Sequence, residues 1–236
     1  ITPNFREKAR VREIVKHMRV RREGGITGSG HTLAMTAAAS YLRPVSRLNH
    51  ELTGLAGIEQ LKRLDSDLDD DARLEQLVVE LEALQSYVMA GQPRLLVVCD
   101  GAELNTTSKQ VEQSWQSFQG NPQAGRFVCD FDSNQASQAW VTTSQVNFCA
   151  SAFATVAEQH EDAPALSVLA GVLRNGFLHK VLREQGGAYG GGAGHDSSNG
   201  IFRFYSFRDP NLLSTFDAFE ESVAWLLRTD IGSDLI

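Results

Sequence analysis

Arg183 and Tyr189 stand six residues apart in Arg183-Glu184-Gln185-Gly186-Gly187-Ala188-Tyr189-Gly190, with two adjacent glycines between them. A guanidinium carries a fixed positive charge and only donates hydrogen bonds, while a phenol adds a neutral O–H donor on a rigid ring. Two such donors can stabilise an oxygen that is gaining negative charge. Glycine permits sharp turns and close backbone approach, so Gly186 and Gly187 suit a turn that folds the two arms together. As isolated residues, the pair also has a plainer description. An Arg in a last helical turn is favoured by the helix dipole, and a strand Tyr packs by its ring.

Rival chemistries find little support. The glycines contain no GxGxxG between Gly186 and Gly200, and they follow a helical pattern where a dinucleotide fingerprint follows a strand. There is no GxxxxGK[ST] for phosphates and no GxSxG for a serine nucleophile. The histidines, at 17, 31, 50, 160, 179 and 195, form neither HExxH nor HxxEH; His50-Glu51 and His160-Glu161 each lack the second histidine. No residue of this chain is therefore assigned to a metal. The acidic run Asp65 to Asp71 has Asp70 where a calcium loop needs Gly and Gln76 where it needs Glu, so it reads as a solvated turn capping the next helix.

Composition bounds the rest. The 236 residues suffice for one large domain or two ordinary ones, and 42% hydrophobic with 22% charged residues is an ordinary globular balance. A net charge of -7 argues against a nucleic acid or an anionic membrane as partner. No apolar run approaches the roughly 20 residues of a membrane helix. The Arg-rich stretch from Phe5 to Arg22 is interspersed with Glu7 and Glu13 and followed by Glu23, as a solvated helix face is. Cys99, Cys129 and Cys149 form no CxxC pair and indicate no disulfide framework. Cys99 and Cys149, in apolar runs, are expected to be buried thiols in an intracellular compartment, the cytoplasm or an organelle matrix. The start at Ile1-Thr2-Pro3 is expected of a processed chain or a piece of a longer one.

The elements that must hold the pair follow from periodicity. Val11, Ile14, Val15 and Met18 mark a first helix ended by Gly24-Gly25, and a second is expected from Gly28-Ser29-Gly30, with Ser29 as N-cap, to Tyr41. Pro44 breaks the pattern, Leu48 to Leu64 resumes it, and Leu74 to Leu84 and Thr106 to Phe118 give two more helices. Leu95 to Cys99 is expected to be a buried strand. Gln119 to Gln138 is the best linker. Val146 to Ala152 alternates as a half-buried strand, and Asp162 with Pro164 opens the helix that Gly186 and Gly187 stop, one of them left-handed. Two strands, Ala188 to His195 and Ile201 to Phe207, are joined through Asn199-Gly200, and Asp209-Pro210 caps a last helix. Mixed helices and strands indicate an α+β fold.

The run Phe177-Leu178-His179-Lys180-Val181-Leu182 leading into Arg183 and on to Gly190 resembles the hallmark of the C-terminal half of pitrilysin-type, or insulinase-like, zinc metallopeptidases, most nearly the presequence protease branch. Gly30-His31-Thr32-Leu33-Ala34-Met35 and Gly54-Leu55-Ala56-Gly57-Ile58 are similar to the third domain of that branch. The resemblance implies two-layer α/β domains with a mixed, mainly antiparallel sheet packed by helices. Residues 1–122 would be the later, mostly helical part of the third peptidase-like domain, and 123–236 the start of the fourth, both incomplete. It also implies a zinc site outside this segment, in an N-terminal half that closes around peptide substrates. Arg183 and Tyr189 would then be catalytic groups, and Arg183, Gly186, Gly187 and Tyr189 would bind substrate. The segment alone would hold no zinc and cut no peptide, and apolar surface left open at missing interfaces would favour a homodimer. A non-catalytic structural or substrate-presenting relative of the same superfamily is the alternative.

Overall fold

The computed structural model describes residues 3–91, 94–116, 131, 133 and 136–231. Helices α1 (Lys8–Gly24), α2 (Ile26–Ala39), α3 (Pro44–Leu52), α4 (Leu55–Asp67), α5 (Asp71–Ala90) and α6 (Leu104–Trp115) precede strand β1 (Ala150–Ala154). Helix α7 (Ala163–Leu173) runs on without a break into a π-helical segment, Arg174–Gln185. Strands β2 (Gly190–Asp196) and β3 (Ile201–Phe207) and helix α8 (Leu213–Arg228) follow. This is an α+β protein. Two compact units are formed, Ile1–Ile14 with Asp65–Val128 and Val15–Leu64 with Cys129–Ile236. Most of the Gln119 to Gln138 linker, Cys129 included, lies outside the described residues.

The first unit holds the start of α1 with α5 and α6. Val11, Leu68, Leu74, Leu77 and Val78 are buried there, so the apolar spacing of α5 buries its first half, whereas Leu84 is exposed. Asp70 is the N-cap of α5, its carboxylate accepting from the Ala72 N–H at 2.9 Å. Arg6 forks onto the Glu82 carboxylate at 2.7 and 2.8 Å, an exposed pair worth little to stability. The buried strand expected at Leu95 to Cys99 is not formed. Leu96 is 90% and Val98 88% exposed, and Cys99 is half-buried. An apolar run becomes a buried strand only with a sheet partner, and none pairs with it among the described residues.

The second unit is built on a three-stranded antiparallel sheet in the order β1-β3-β2. Alternation along β3 points Phe202, Phe204 and Ser206 to one face and Arg203, Tyr205 and Phe207 to the other. On the first face Phe202, Phe204 and Ala193 join Leu173, Leu178, Leu182, Ala218 and Phe219 from the helical layer in one core, with Cys149. Burial pushes the Cys149 thiol pKa up, and the Asp209 charge adds to this against a hydrogen bond with Ser206. On the second face, α2 packs on β1 and β3. The expected hairpin is present, with Asp196 paired to Ile201 and Gly200 at φ 61°, and Ala154 pairs with Ile201 on the other flank of β3.

Two helix starts differ from expectation. Helix α2 begins at Ile26 and is kinked at Ser29 (φ -125°, ψ 18°), with no cap bond from a side chain at its start. The kink brings Gly30 so close to Phe148 that any Cβ would overlap the ring. The Leu48 to Leu64 repeat is split at Thr53-Gly54, where a Cβ on Gly54 would meet His50 backbone atoms at 2.8 Å.

Candidate functional site

The helix leading to the pair leaves α-helical geometry after Leu173, and its end is closed by main-chain bonds. Gly186 N–H donates to Val181 O at 2.9 Å, Gly187 N–H to Arg183 O at 3.2 Å and Ala188 N–H to Leu182 O at 2.9 Å. Gly187 is left-handed, at φ 78°, as a helix-ending glycine is expected to be. Gly186 has an ordinary φ of -85°, but a Cβ there would meet Leu182 O at 2.8 Å and Val181 O at 3.0 Å. One glycine is thus required by its torsion and the other by close approach.

Arg183 lies in the last turn of the π-helical segment and Tyr189 just before β2, so they occupy the two arms of this turn. Arg183 is exposed, and Tyr189 is 65% exposed. Among the described residues, neither the guanidinium nor the phenol hydroxyl has a hydrogen-bond or ion-pair partner. The Tyr189 ring stands edge-on to Phe207, with centroids 5.6 Å apart, and its N–H donates to Arg208 O at 3.3 Å. The ring is therefore packed while the hydroxyl is left to solvent.

Residues that sequence reasoning passed over support this end of the sheet. Phe207 is shared by Tyr189, by His31 at 4.7 Å, by Phe148 at 5.7 Å and by the Arg208 guanidinium 5.3 Å above its ring. His31 Nδ1 is buried without a partner among the described residues, and burial holds the His31 pKa below its ordinary value. Arg208 adopts φ 49°, uncommon for a residue with a side chain. Asp209, expected to cap a helix, does something else. Its carboxylate, in a residue 1% exposed, accepts from the Thr215 hydroxyl at 2.7 Å and from the Asn211 N–H at 2.9 Å. The Asn211 amide donates to Gly186 O at 2.7 Å. Asp-Pro-Asn is a turn signature, and that was the available signal.

Other sites offer less. A cavity of about 480 Å³ on the opposite face of the sheet is lined by Phe153, Phe202, Phe204, Phe216, Phe219 and Glu220 among others, and neither Arg183 nor Tyr189 borders it. Among the described residues no group of three or more His, Cys, Asp or Glu is placed to hold a metal ion. His195 is engaged structurally, its ring nitrogens lying 3.4 Å from Ser167 Oγ and 3.2 Å from Val156 O. No helix is long and apolar enough to cross a membrane among the described residues.

Comparison with known proteins places the chain in a family. The profile described as PreP C-terminal domain matches residues 137–234, and that described as associated with subfamily C of the M16 peptidases matches residues 1–64. A mitochondrial presequence protease of Yarrowia lipolytica is 30% identical over 214 residues, covering 87% of this chain and 21% of that protein. One from Drosophila melanogaster is 35% identical over 205 residues, covering 86% of this chain and 19% of that protein. Presequence protease 1, chloroplastic/mitochondrial, of Arabidopsis thaliana is 28% identical over 233 residues, covering 98% and 21% respectively. The chain spans about a fifth of the length of these relatives. With both profile matches and these relatives pointing one way, the chain belongs to the presequence protease family of M16-type peptidases.

Proposed function

We propose that this chain is the substrate-clamping, C-terminal part of a zinc-dependent endopeptidase that degrades unfolded peptides. The observation that carries the reading is the exposed pair Arg183 and Tyr189 on the two arms of one glycine turn, their polar groups without partners among the described residues. Negative charge grows on a peptide carbonyl oxygen as it is attacked, and donors fixed beforehand stabilise that charge without reorganising. Arg183 and Tyr189 act as those donors, and the Gly186-Gly187 turn lets the peptide backbone approach them. The zinc belongs to the N-terminal half of the same polypeptide, outside this chain, so catalysis requires the two halves to close on one another. Residues 1–122 form the later part of the third peptidase-like domain and 123–236 the start of the fourth. The isolated segment neither binds stoichiometric zinc nor cleaves peptides, and its open interfaces favour a homodimer. An organelle matrix is the compartment that fits, since the relatives carry mitochondrial or chloroplastic names.

In the full-length polypeptide, Tyr189→Phe removes one donor and leaves the ring on Phe207. Loss of such a donor lowers kcat about 10²–10³-fold. Arg183→Ala is expected to do at least as much. Since both polar groups are exposed and make no bond to the described residues, neither change should alter the unfolding midpoint measurably. Peptide cleavage at an unchanged kcat/KM in both variants would refute the assignment.

A further inference from the structure

The Gly186-Gly187 turn is closed by main-chain bonds to its own helix but has no side chains to pack, so further support comes from outside it. Two bonds from the segment after β3 reach its two ends. The Asn211 amide donates to Gly186 O at 2.7 Å, and Arg208 O accepts from Tyr189 N–H at 3.3 Å. That segment is itself anchored. Asp209 exchanges both main-chain bonds with Asn147, at 2.7 and 2.9 Å, and the Asn147 amide donates to Asn211 O at 3.0 Å. The buried Asp209 carboxylate orients Asn211 from within, while Thr215 Oγ1 holds its second oxygen at 2.7 Å. A carboxylate out of water is costly unless its oxygens are satisfied. Here they are satisfied by groups that face the turn and by the first turn of α8, and α8 itself takes no side-chain cap bond.

We propose that Asn211, oriented by Asp209 and Thr215, is a positioning residue that holds the Gly186-Gly187 turn and thereby sets the geometry of Arg183 and Tyr189. The proposal rests on the reading of that pair as substrate-facing donors. A small displacement of a reacting or stabilising group costs up to about 100-fold in rate, so a hydrogen bond that fixes the turn acts on catalysis without touching substrate.

The test uses the full-length polypeptide. Asn211→Ala is expected to lower kcat about 10- to 100-fold with little change in KM. It should also speed amide hydrogen exchange at residues 186 to 189 while leaving β3 protected. Combined with Tyr189→Phe, it should add less than its own effect, because one of the two donors it positions is already gone. Thr215→Val should reproduce part of the loss and Thr215→Ser should retain activity, which decides the matter if Asn211→Ala fails to fold. Wild-type kcat and exchange in Asn211→Ala, or a fully multiplicative loss on the Tyr189→Phe background, would overturn the positioning role alone. Wild-type activity in Tyr189→Phe and Arg183→Ala would overturn the functional reading and this proposal together.

Discussion

Gly187 and Gly186 are neighbours that should fail for different reasons. At Gly187 a Cβ would have its nearest contact at Pro210 Cγ, 3.7 Å away, which is ordinary van der Waals distance, so space is not the obstacle. The obstacle is φ 78°. An L-residue held in the left-handed region costs about 1–2 kcal/mol. Replacing Gly by Ala also stiffens the unfolded chain, which offsets about 0.4–1 kcal/mol of that. Gly187→Ala should therefore lose about 1 kcal/mol, a drop of roughly 2–4 °C in Tm for a domain of this size. Gly187→Asn should recover part of the loss, since Asn enters the left-handed region more readily. At Gly186 the order changes. Its φ of -85° suits any residue, but a Cβ would press on two carbonyl oxygens of its own helix end, so Ala and Asn should be equally harmful. Thermal and urea unfolding of the four variants measures both patterns. Gly187→Ala as stable as the parent, or Asn no better than Ala at 187, would refute the backbone reasoning.

Two further outcomes are expected. Gly30→Ala would force a methyl into the Phe148 ring and cost about 1–3 kcal/mol, and Phe148→Leu should partly restore stability in the double variant; urea denaturation decides it. His50 is 4% exposed, with Nδ1 unpartnered among the described residues; burial first, then the Arg47 charge, lower its pKa below the ordinary 6.5, with Glu51 opposing. The unfolded chain therefore takes up the proton first as pH falls. The stability contributed by neutral His50 is complete above about pH 6.5 and declines as pH drops toward the folded pKa, with His31 acting in the same direction. Urea midpoints measured from about pH 8 to about pH 5 should fall, less steeply in His50→Gln, and a midpoint that rises on acidification would refute the assignment.

Much of the second unit could be read from spacing because its elements obey local rules. Asp162 and Pro164 opened α7, Asn199-Gly200 turned the hairpin, and the left-handed glycine stood where helix-end geometry wants one. Leu95 to Cys99 shows the opposite case. Its apolar run satisfies the pattern for a buried strand, yet a strand is a relation between two segments, and periodicity describes only one. The support for Tyr189 was hidden for a similar reason. His31, Phe148 and Phe207 come from distant parts of the chain and meet only because α2 lies on the sheet. Asp209 was legible as a turn former but not as the anchor of Asn211, since Asp-Pro before a helix is usually a cap.

The main-chain closure of the helix end follows the π-helical register of the segment. A Schellman closure joins residues three and five apart along the chain. Here Gly187 reaches back four residues to Arg183 O and Ala188 six to Leu182 O, each one wider, as i→i+5 winding requires. One extra residue in a turn rotates the residues beyond it by about 100° relative to an α-helix. The apolar positions Leu173, Phe177, Leu178, Val181 and Leu182 suit either register, so they do not decide which face Arg183 takes. Gly176 permits the close approach of Trp225 to this segment, because a Cβ there would sit 2.5 Å from Trp225 Cη2. The segment is thus flanked by the close approach of Trp225 to Gly176 at one end and by the bond from Asn211 to Gly186 O at the other. A change at Gly176, Trp225 or Asn211 that restored α-helical winding would rotate the residues beyond it while leaving every residue of the Arg183 to Tyr189 motif in place.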